Sequence, residues 1–417
     1  MKKRCLLISL ILFATLSPLS AGATVHSGTV TDAATGMTIE GAFVTLGDTV
    51  VRTDQNGKFK IDADGNTLGI RAYGHKRQEV AVSTLKNDAP VLLNPVIPKA
   101  LYLSHYGIGN KHLREAALTL IKDTELNALV IDLKGDMGKV AFKSSTPLAL
   151  EVGAQNIITI KDLNSMVDDL HAKDIYLIAR IVVFKDNPLA SAKPELAVKT
   201  AGGAIWKDRE GLAWSNPFSK TVRDYNIDLA VEAARAGFDE IQFDYVRFPD
   251  APGLAYQMPD TEENRVGAIS GFLTEARKRL IPYNVFLAAD VFGYVAWNAG
   301  DTHIGQKLEN LAEVLDYMSL MLYPSGFQFG IPGYLNPLNH PCEIVYLSLE
   351  KAKQRTGLPA IRFRPWLQAF RDYAFDKRPF QDEQIRAQID AADNFGSDGW
   401  MLWNPHNIYR EGLRPED

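Results

Sequence analysis

The stretch Gly237-Phe238-Asp239-Glu240-Ile241-Gln242-Phe243-Asp244-Tyr245-Val246-Arg247-Phe248-Pro249 decides how the chain is read. Gly237 stops a helix, the residues after it form a strand, and Pro249 halts that strand before a loop. The period-two alternation puts Gln242 and Asp244 on one face, with an aromatic and an arginine directly after the acid. A carboxylate at the end of an apolar strand is costly unless it is paired or used. Its surroundings must therefore be found elsewhere in the chain.

Outward from this stretch, strand and helix alternate strictly. Candidate strands are 100–106, 128–133, 175–184, 240–248, 285–292, 317–323, 361–370 and 399–403, and helical runs occupy 111–125, 160–173, 220–236, 261–280, 305–314, 344–355 and 382–395. Eight strands with seven helices between them is the count of a (β/α)8 TIM barrel, here spanning 99–417. A doubly wound open sheet is the alternative, but Gly107-Ile108-Gly109-Asn110-Lys111 lacks the third glycine of its phosphate loop.

In a barrel, functional groups belong at the C-terminal ends of the strands, on the inward parity. That rule gathers Asp132 and Lys134 from strand two, Arg180 from three, Gln242 and Asp244 from four, and Ala288 and Asp290 from five. Strand six adds Ser319 and Tyr323, strand seven Arg364, Trp366 and Gln368, and strand eight Trp403 and Asn404. Buried charges cost about several kcal/mol each unless paired, so stability alone is a poor reason to collect so many. Asp132 with Lys134 or Arg180 also reads as a structural ion pair. Asp244 and Asp290 lack an obligate cation beside them in sequence and read as catalytic, with Arg247 either their partner or a substrate ligand. The aromatics Trp206, Trp214, Tyr245, Tyr294, Trp297, Tyr323, Trp366 and Trp403 fall mostly at strand ends or in loops. Core packing is the plain reading of them and stacking on sugar faces the functional one.

Ahead of the barrel, residues 24–95 break into short alternating segments punctuated by Gly and Asn-Gly, the pattern of a small antiparallel sandwich. Gly28-x-Val30-x-Asp32, Ile39-x-Gly41-Ala42-x-Val44 and Thr53-Asp54-x-x-Gly57-x-Phe59 resemble the carboxypeptidase regulatory-like domain, which implies a seven-stranded transthyretin-type sandwich acting as an accessory module. His75, in the polar turn Gly74-His75-Lys76-Arg77, reads as a solvated surface residue. The linker Asn94-Pro95-Val96-Ile97-Pro98-Lys99 is short and stiff.

In the second domain, residues 238–249, with Val130-Ile131-Asp132-Leu133-Lys134 upstream and Met321-Leu322-Tyr323-Pro324 downstream, resemble a bacterial family described as a "putative glycosyl hydrolase domain". The resemblance implies a TIM-barrel glycosidase with the acid after strand four, Asp244, as nucleophile. Asp290 after strand five is the acid/base candidate, where a Glu is common in related barrels. Two carboxyls across a glycosidic bond are what that chemistry needs, and Tyr294 or Trp297 would raise the pKa of the acid by desolvation. Asp132, Lys134, Arg180, Tyr245, Arg247, Tyr323, Arg364, Trp366, Gln368, Trp403 and Asn404 are the expected substrate-binding set.

Residues 1–23 have the charged, apolar and small-residue regions of a secretory signal, with cleavage expected after Ala23. This predicts an exported chain, periplasmic or secreted, with no stable membrane anchor after processing. Losing Lys2, Lys3 and Arg4 takes the net charge from -5 to -8, which disfavours nucleic acid and makes a neutral or cationic partner easier. Only Cys342 then remains, read as a buried small hydrophobe. No His-Glu-x-x-His, Cys-x-x-Cys, Gly-x-Ser-x-Gly or phosphate loop occurs, so no cofactor or metal is expected, and a site built from His105 and His406 is the one metal alternative. Against a glycosidase stand a carbohydrate-binding envelope protein without activity and a purely structural envelope protein.

Overall fold

A computed structural model describes residues 24–85 and 89–410. The leader read at 1–23 lies outside the described residues. Two layers of secondary structure follow one another along the chain, a β-sandwich and then a closed barrel.

The sandwich packs a three-stranded sheet (Lys58–Asp62, Val25–Asp32, Val91–Leu93) against a four-stranded one (Thr49–Arg52, Phe43–Leu46, Thr67–Arg71, Gln78–Ala81). Alternate residues fill the space between them. Lys58–Asp62 shows this most plainly, with Phe59 and Ile61 buried and the three flanking residues exposed, and Val30, Val44, Leu68, Ile70 and Leu93 complete the core. His75 is not solvated as its turn suggested. Its ring nitrogens face the Asp32 carboxylate and the Tyr73 carbonyl, each at 2.9 Å.

The barrel strands are Lys99–Leu103, Ala128–Lys134, Tyr176–Val182, Glu240–Asp244, Phe286–Phe292, Tyr317–Met321, Trp366–Gln368 and Trp400–Trp403. All eight pair in parallel with their sequence neighbours, and the eighth closes on the first through Trp400 and Lys99. Parallel strands covered on both faces become continuous apolar runs, and Ala128–Lys134 and Tyr176–Val182 are buried at every position. Helices Lys111–Asp123, Leu163–His171, Lys220–Arg235, Glu262–Leu280, Leu308–Val314, Pro341–Thr356 and Asp382–Phe395 fill the intervals. Local chemistry sets their ends. Ser219 and Thr261 accept a backbone N–H at two N-termini, and Gly237, at φ 107°, turns the chain from helix into strand four.

The sandwich covers the N-terminal end of the barrel. Tyr73 stacks on Phe286, with 6.1 Å between ring centroids, and meets Tyr317 edge-on at 5.6 Å. Those two residues open strands five and six. Arg77 donates to Asp239, to the Gly237 carbonyl and to the Tyr283 carbonyl. Gly69 approaches Asn284 so closely that a Cβ there would lie 2.5 Å from the Asn284 Cβ. Cys342, expected inside, is exposed on helix Pro341–Thr356. No described helix is long and apolar enough to cross a membrane.

Candidate active site

Strand four sends three polar side chains into the barrel, one per layer. At the bottom, Glu240 accepts from Arg364 and from the Tyr176 hydroxyl, and Arg364 also donates to Asp398. In the middle, Gln242 donates to Ser319 Oγ at 3.0 Å and touches the Met401 sulfur at 3.4 Å. At the top sits Asp244. The same two-residue step that hides an ion pair at one end of the barrel therefore delivers a carboxylate to the other.

Both oxygens of Asp244 are held. Oδ1 accepts the Tyr245 backbone N–H at 2.5 Å, and Oδ2 accepts from Arg180 Nε at 3.0 Å and Nη2 at 2.5 Å. Tyr245 itself takes φ 47°, a left-handed conformation unusual for a tyrosine. Arg180 is wholly buried and also reaches Asp132 at 2.6 Å and Asp136 at 2.8 Å. Burial opposes its charge, but the carboxylates outweigh burial and hold it protonated.

Asp290, on strand five, is treated differently. Its Oδ1 accepts the Trp366 indole N–H at 2.6 Å, whereas its Oδ2 has no donor among the described residues and lies 3.7 Å from Arg180 Nε. Burial pushes its carboxyl well above the ordinary range, the negative charge of Asp244 adds to this, and Arg180 and Trp366 offset only part of it. Once protonated, Asp290 has one acceptor beside it, the Asp244 carboxylate. The two carboxyls thus sit in unlike settings, Asp244 held through both oxygens and Asp290 through one. Asp132 lies below, its Oδ2 taking the Tyr102 hydroxyl at 2.6 Å, and burial raises it to about 6.

These groups open into a cavity of about 570 Å³, within the range of small-molecule sites. Arg180, Asp244, Asp290, Tyr245, Arg247, Tyr323, Trp366, Trp403 and Asn404 all line it. Trp403 stacks on Tyr102 at 3.9 Å, with the Arg180 guanidinium 4.8 Å from its ring. Asn404 spends its amide on the Ala369 and Ile408 carbonyls, and so shapes the loop.

Four of the sequence-derived binding residues lie elsewhere. Lys134 faces outward because the pairing with strand three slips between Arg180 and Ile181, which reverses its side; its ammonium meets Asp186 at 2.6 Å and Asn226 at 2.8 Å. Arg364 precedes strand seven, which begins only at Trp366, so it belongs to the bottom layer. Gln368 braces the loop after strand six through Ser325. Asp132 sits behind Arg180, off the cavity wall. Trp297 is also remote, its indole donating to Ser348 on an outer helix, and Tyr294 donates to the Gly330 carbonyl. The acid's desolvation therefore comes from its own depth in the barrel. Sequence reading missed Phe292, Met321, Phe327, Phe370, Arg371 and Tyr373, which also line the wall. All of them follow or end strands five to eight, so the C-terminal-end rule applied to loops was the available signal. His406 borders the cavity, and no group of three His, Cys, Asp or Glu that could hold a metal ion occurs among the described residues.

Residues 100–409 match the family model described as "Putative glycosyl hydrolase domain". The chain belongs to this family. A hypothetical protein from Ruminiclostridium thermocellum is 38% identical over 46% of this chain and 97% of its own, at a TM-score of 0.41. The PgaB (BpsB) glycoside hydrolase domain from Bordetella bronchiseptica is 15% identical, with 75% of this chain and 95% of that one covered at TM-score 0.55. For the β-galactosidase from psychrophilic Marinomonas ef1 the values are 10%, 76%, 58% and 0.53. The last two show a shared barrel fold. No curated protein matches the chain.

Proposed function

We propose that Asp244 and Asp290 are the nucleophile and the acid/base of a retaining glycoside hydrolase acting on a polysaccharide outside the cytoplasm. The observation that carries this is the unequal treatment of the two carboxyls, one held through both oxygens by Arg180 and the Tyr245 N–H, the other buried with a single donor and one oxygen without a donor among the described residues. Asp290 gives its proton to the glycosidic oxygen as that bond breaks, and Asp244 bonds to the anomeric carbon. A water then loses its proton to the Asp290 carboxylate while its oxygen displaces Asp244, restoring both groups. One guanidinium nitrogen, 3.0 Å from Asp244 Oδ2 and 3.7 Å from Asp290 Oδ2, holds the two carboxyls close to each other. That favours the shorter spacing of about 5–5.5 Å, which goes with retention, over the ~6.5–9.5 Å of inverting enzymes. Trp403 and Tyr323, half-buried on the cavity wall, offer ring surface to sugars.

Export follows from the leader reading at 1–23 and is checked by fractionating cells and sequencing the mature N-terminus. The decisive experiment screens the mature chain against cell-wall, exopolysaccharide and dietary glycans with Asp244→Asn as control. Product from the wild type alone supports the assignment. Wild-type turnover by the variant refutes the role of Asp244, and saturable binding with no product favours a carbohydrate-binding protein without activity.

A further inference from the structure

Beside the main cavity lies a second, of about 610 Å³, whose wall includes Trp206, Lys207, Arg209 and Trp214. Tyr245 and Arg247 border both. Arg247 is half-buried, with its guanidinium 4.9 Å from the Trp214 ring centroid and 5.4 Å from that of Tyr245. One of its five N–H groups donates to the Phe248 carbonyl at 3.0 Å. No carboxylate among the described residues forms an ion pair with it. Asp244, Asp208 and Asp250 attract it only at longer range, and the first two are engaged, Asp244 by Arg180 and Asp208 by the Trp214 indole and Lys185. Lys185 itself pairs with Glu210 at 3.0 Å. On the main cavity's wall, Arg371 donates to the Lys377 carbonyl and likewise has no acidic partner among the described residues. Arg180 is consumed by acids, so Arg247 and Arg371 are the cationic groups that the main cavity's wall presents to a ligand, in a chain whose net charge is -5.

We propose that the substrate is an acidic polysaccharide and that Arg247 receives the carboxylate of a uronic acid residue in the subsite adjoining Asp244. A planar guanidinium with free donors matches a carboxylate bidentately, and the rings of Trp214 and Tyr245 hold its plane fixed. The whole-chain charge favoured a neutral or cationic partner, and the local charge reverses that expectation. The inference rests on the reading that the cavity holds a glycan, and its test separates the two.

The probes are hexasaccharides of polygalacturonate, alginate and hyaluronan, each with its carboxyl-reduced neutral counterpart, given to the wild type, Arg247→Gln and Arg247→Lys. For at least one pair the wild type is expected to favour the acidic form by tenfold or more in kcat/KM. Arg247→Gln should cut that ratio at least tenfold, mainly through KM. Arg247→Lys, which keeps the charge but not the fork, should retain part of it and covers the case in which Arg247→Gln does not fold. Equal use of both forms by the wild type, or an equal loss on both in the variants, overturns the inference, since Arg247 would then only hold its loop. A larger Arg247-dependent response to a sulfated glycan overturns the uronate assignment. Calorimetry with Asp244→Asn separates the readings. Arg247-dependent binding of an acidic probe that the wild type never cleaves keeps this inference and removes the hydrolase. Cleavage confined to neutral glycans does the reverse.

Discussion

Replacing Trp366 by Phe removes one hydrogen bond, the 2.6 Å contact from the indole N–H to Asp290 Oδ1, and leaves an aromatic ring in place. That donor is the only one Asp290 has among the described residues, and it favours the ionised form, so its loss makes the carboxyl hold its proton more tightly. A hydrogen bond to a charged group is worth about 1.5–3 kcal/mol, and one pKa unit is about 1.36 kcal/mol. The Asp290 pKa should therefore rise further, by about one to two units. The active form is the protonated acid, so activity is present below this pKa and lost above it. The alkaline limb of the kcat/KM profile should thus move to higher pH, while the plateau falls because a weaker acid donates less readily. Carbon-13 NMR of labelled aspartate carboxyls follows the same titration with no substrate, and a melting curve confirms that the variant is folded. A limb that stays in place or moves to lower pH would refute the assignment of Asp290 as the acid.

Three other outcomes follow from the same contacts. Arg180→Gln leaves Asp132, Asp136, Asp244 and Asp290 facing one another without a cation, at a cost of about 3–5 kcal/mol for a broken buried pair. Because raised carboxyl pKa values take stability away as pH rises, the melting temperature of this variant should lag the wild type most at pH 8 and recover toward pH 5. Gly69→Val drives a side chain into Asn284, where even a Cβ lies 2.5 Å from its neighbour; overpacking of that kind costs about 1–3 kcal/mol, read as a lower unfolding midpoint. Proton NMR of the first-formed sugar should show retention of anomeric configuration, and the opposite anomer would remove Asp244 as nucleophile.

Most of the barrel was legible because its signal is local. Buried parallel strands are short apolar runs and their helices carry amphipathic spacing, so all eight strands could be placed from periodicity alone. Asp244 and Asp290 could be singled out because parity and strand ends are properties of short segments. What escaped depends on contacts between segments. Lys134 shares the sequence parity of Asp132, and only a slip in the register with strand three turns it outward. Arg364 looked mid-strand because residues 361–370 read as one extended run, yet 3-10 geometry at Ala360–Arg362 delays the strand until Trp366. The partner of Asp290 was sought in its own loop, at Tyr294 and Trp297, and came instead from strand seven. The ionic isolation of Arg247 is a statement about what is not nearby, which no sequence displays.

The ring of Tyr73, wedged between Phe286 and Tyr317, bears on how the molecule can be taken apart. A chain begun at Lys99 would turn those two rings, together with Asn284 and Asp239, toward water. It would gain a sticky apolar floor and lose the hydrogen bonds that Arg71 and Arg77 supply. The small module in front thus behaves as a stopper in the base of a vessel. Attempts to harvest the barrel alone should meet insolubility before they meet any question of catalysis, and ligands can be expected to come and go through the upper rim only.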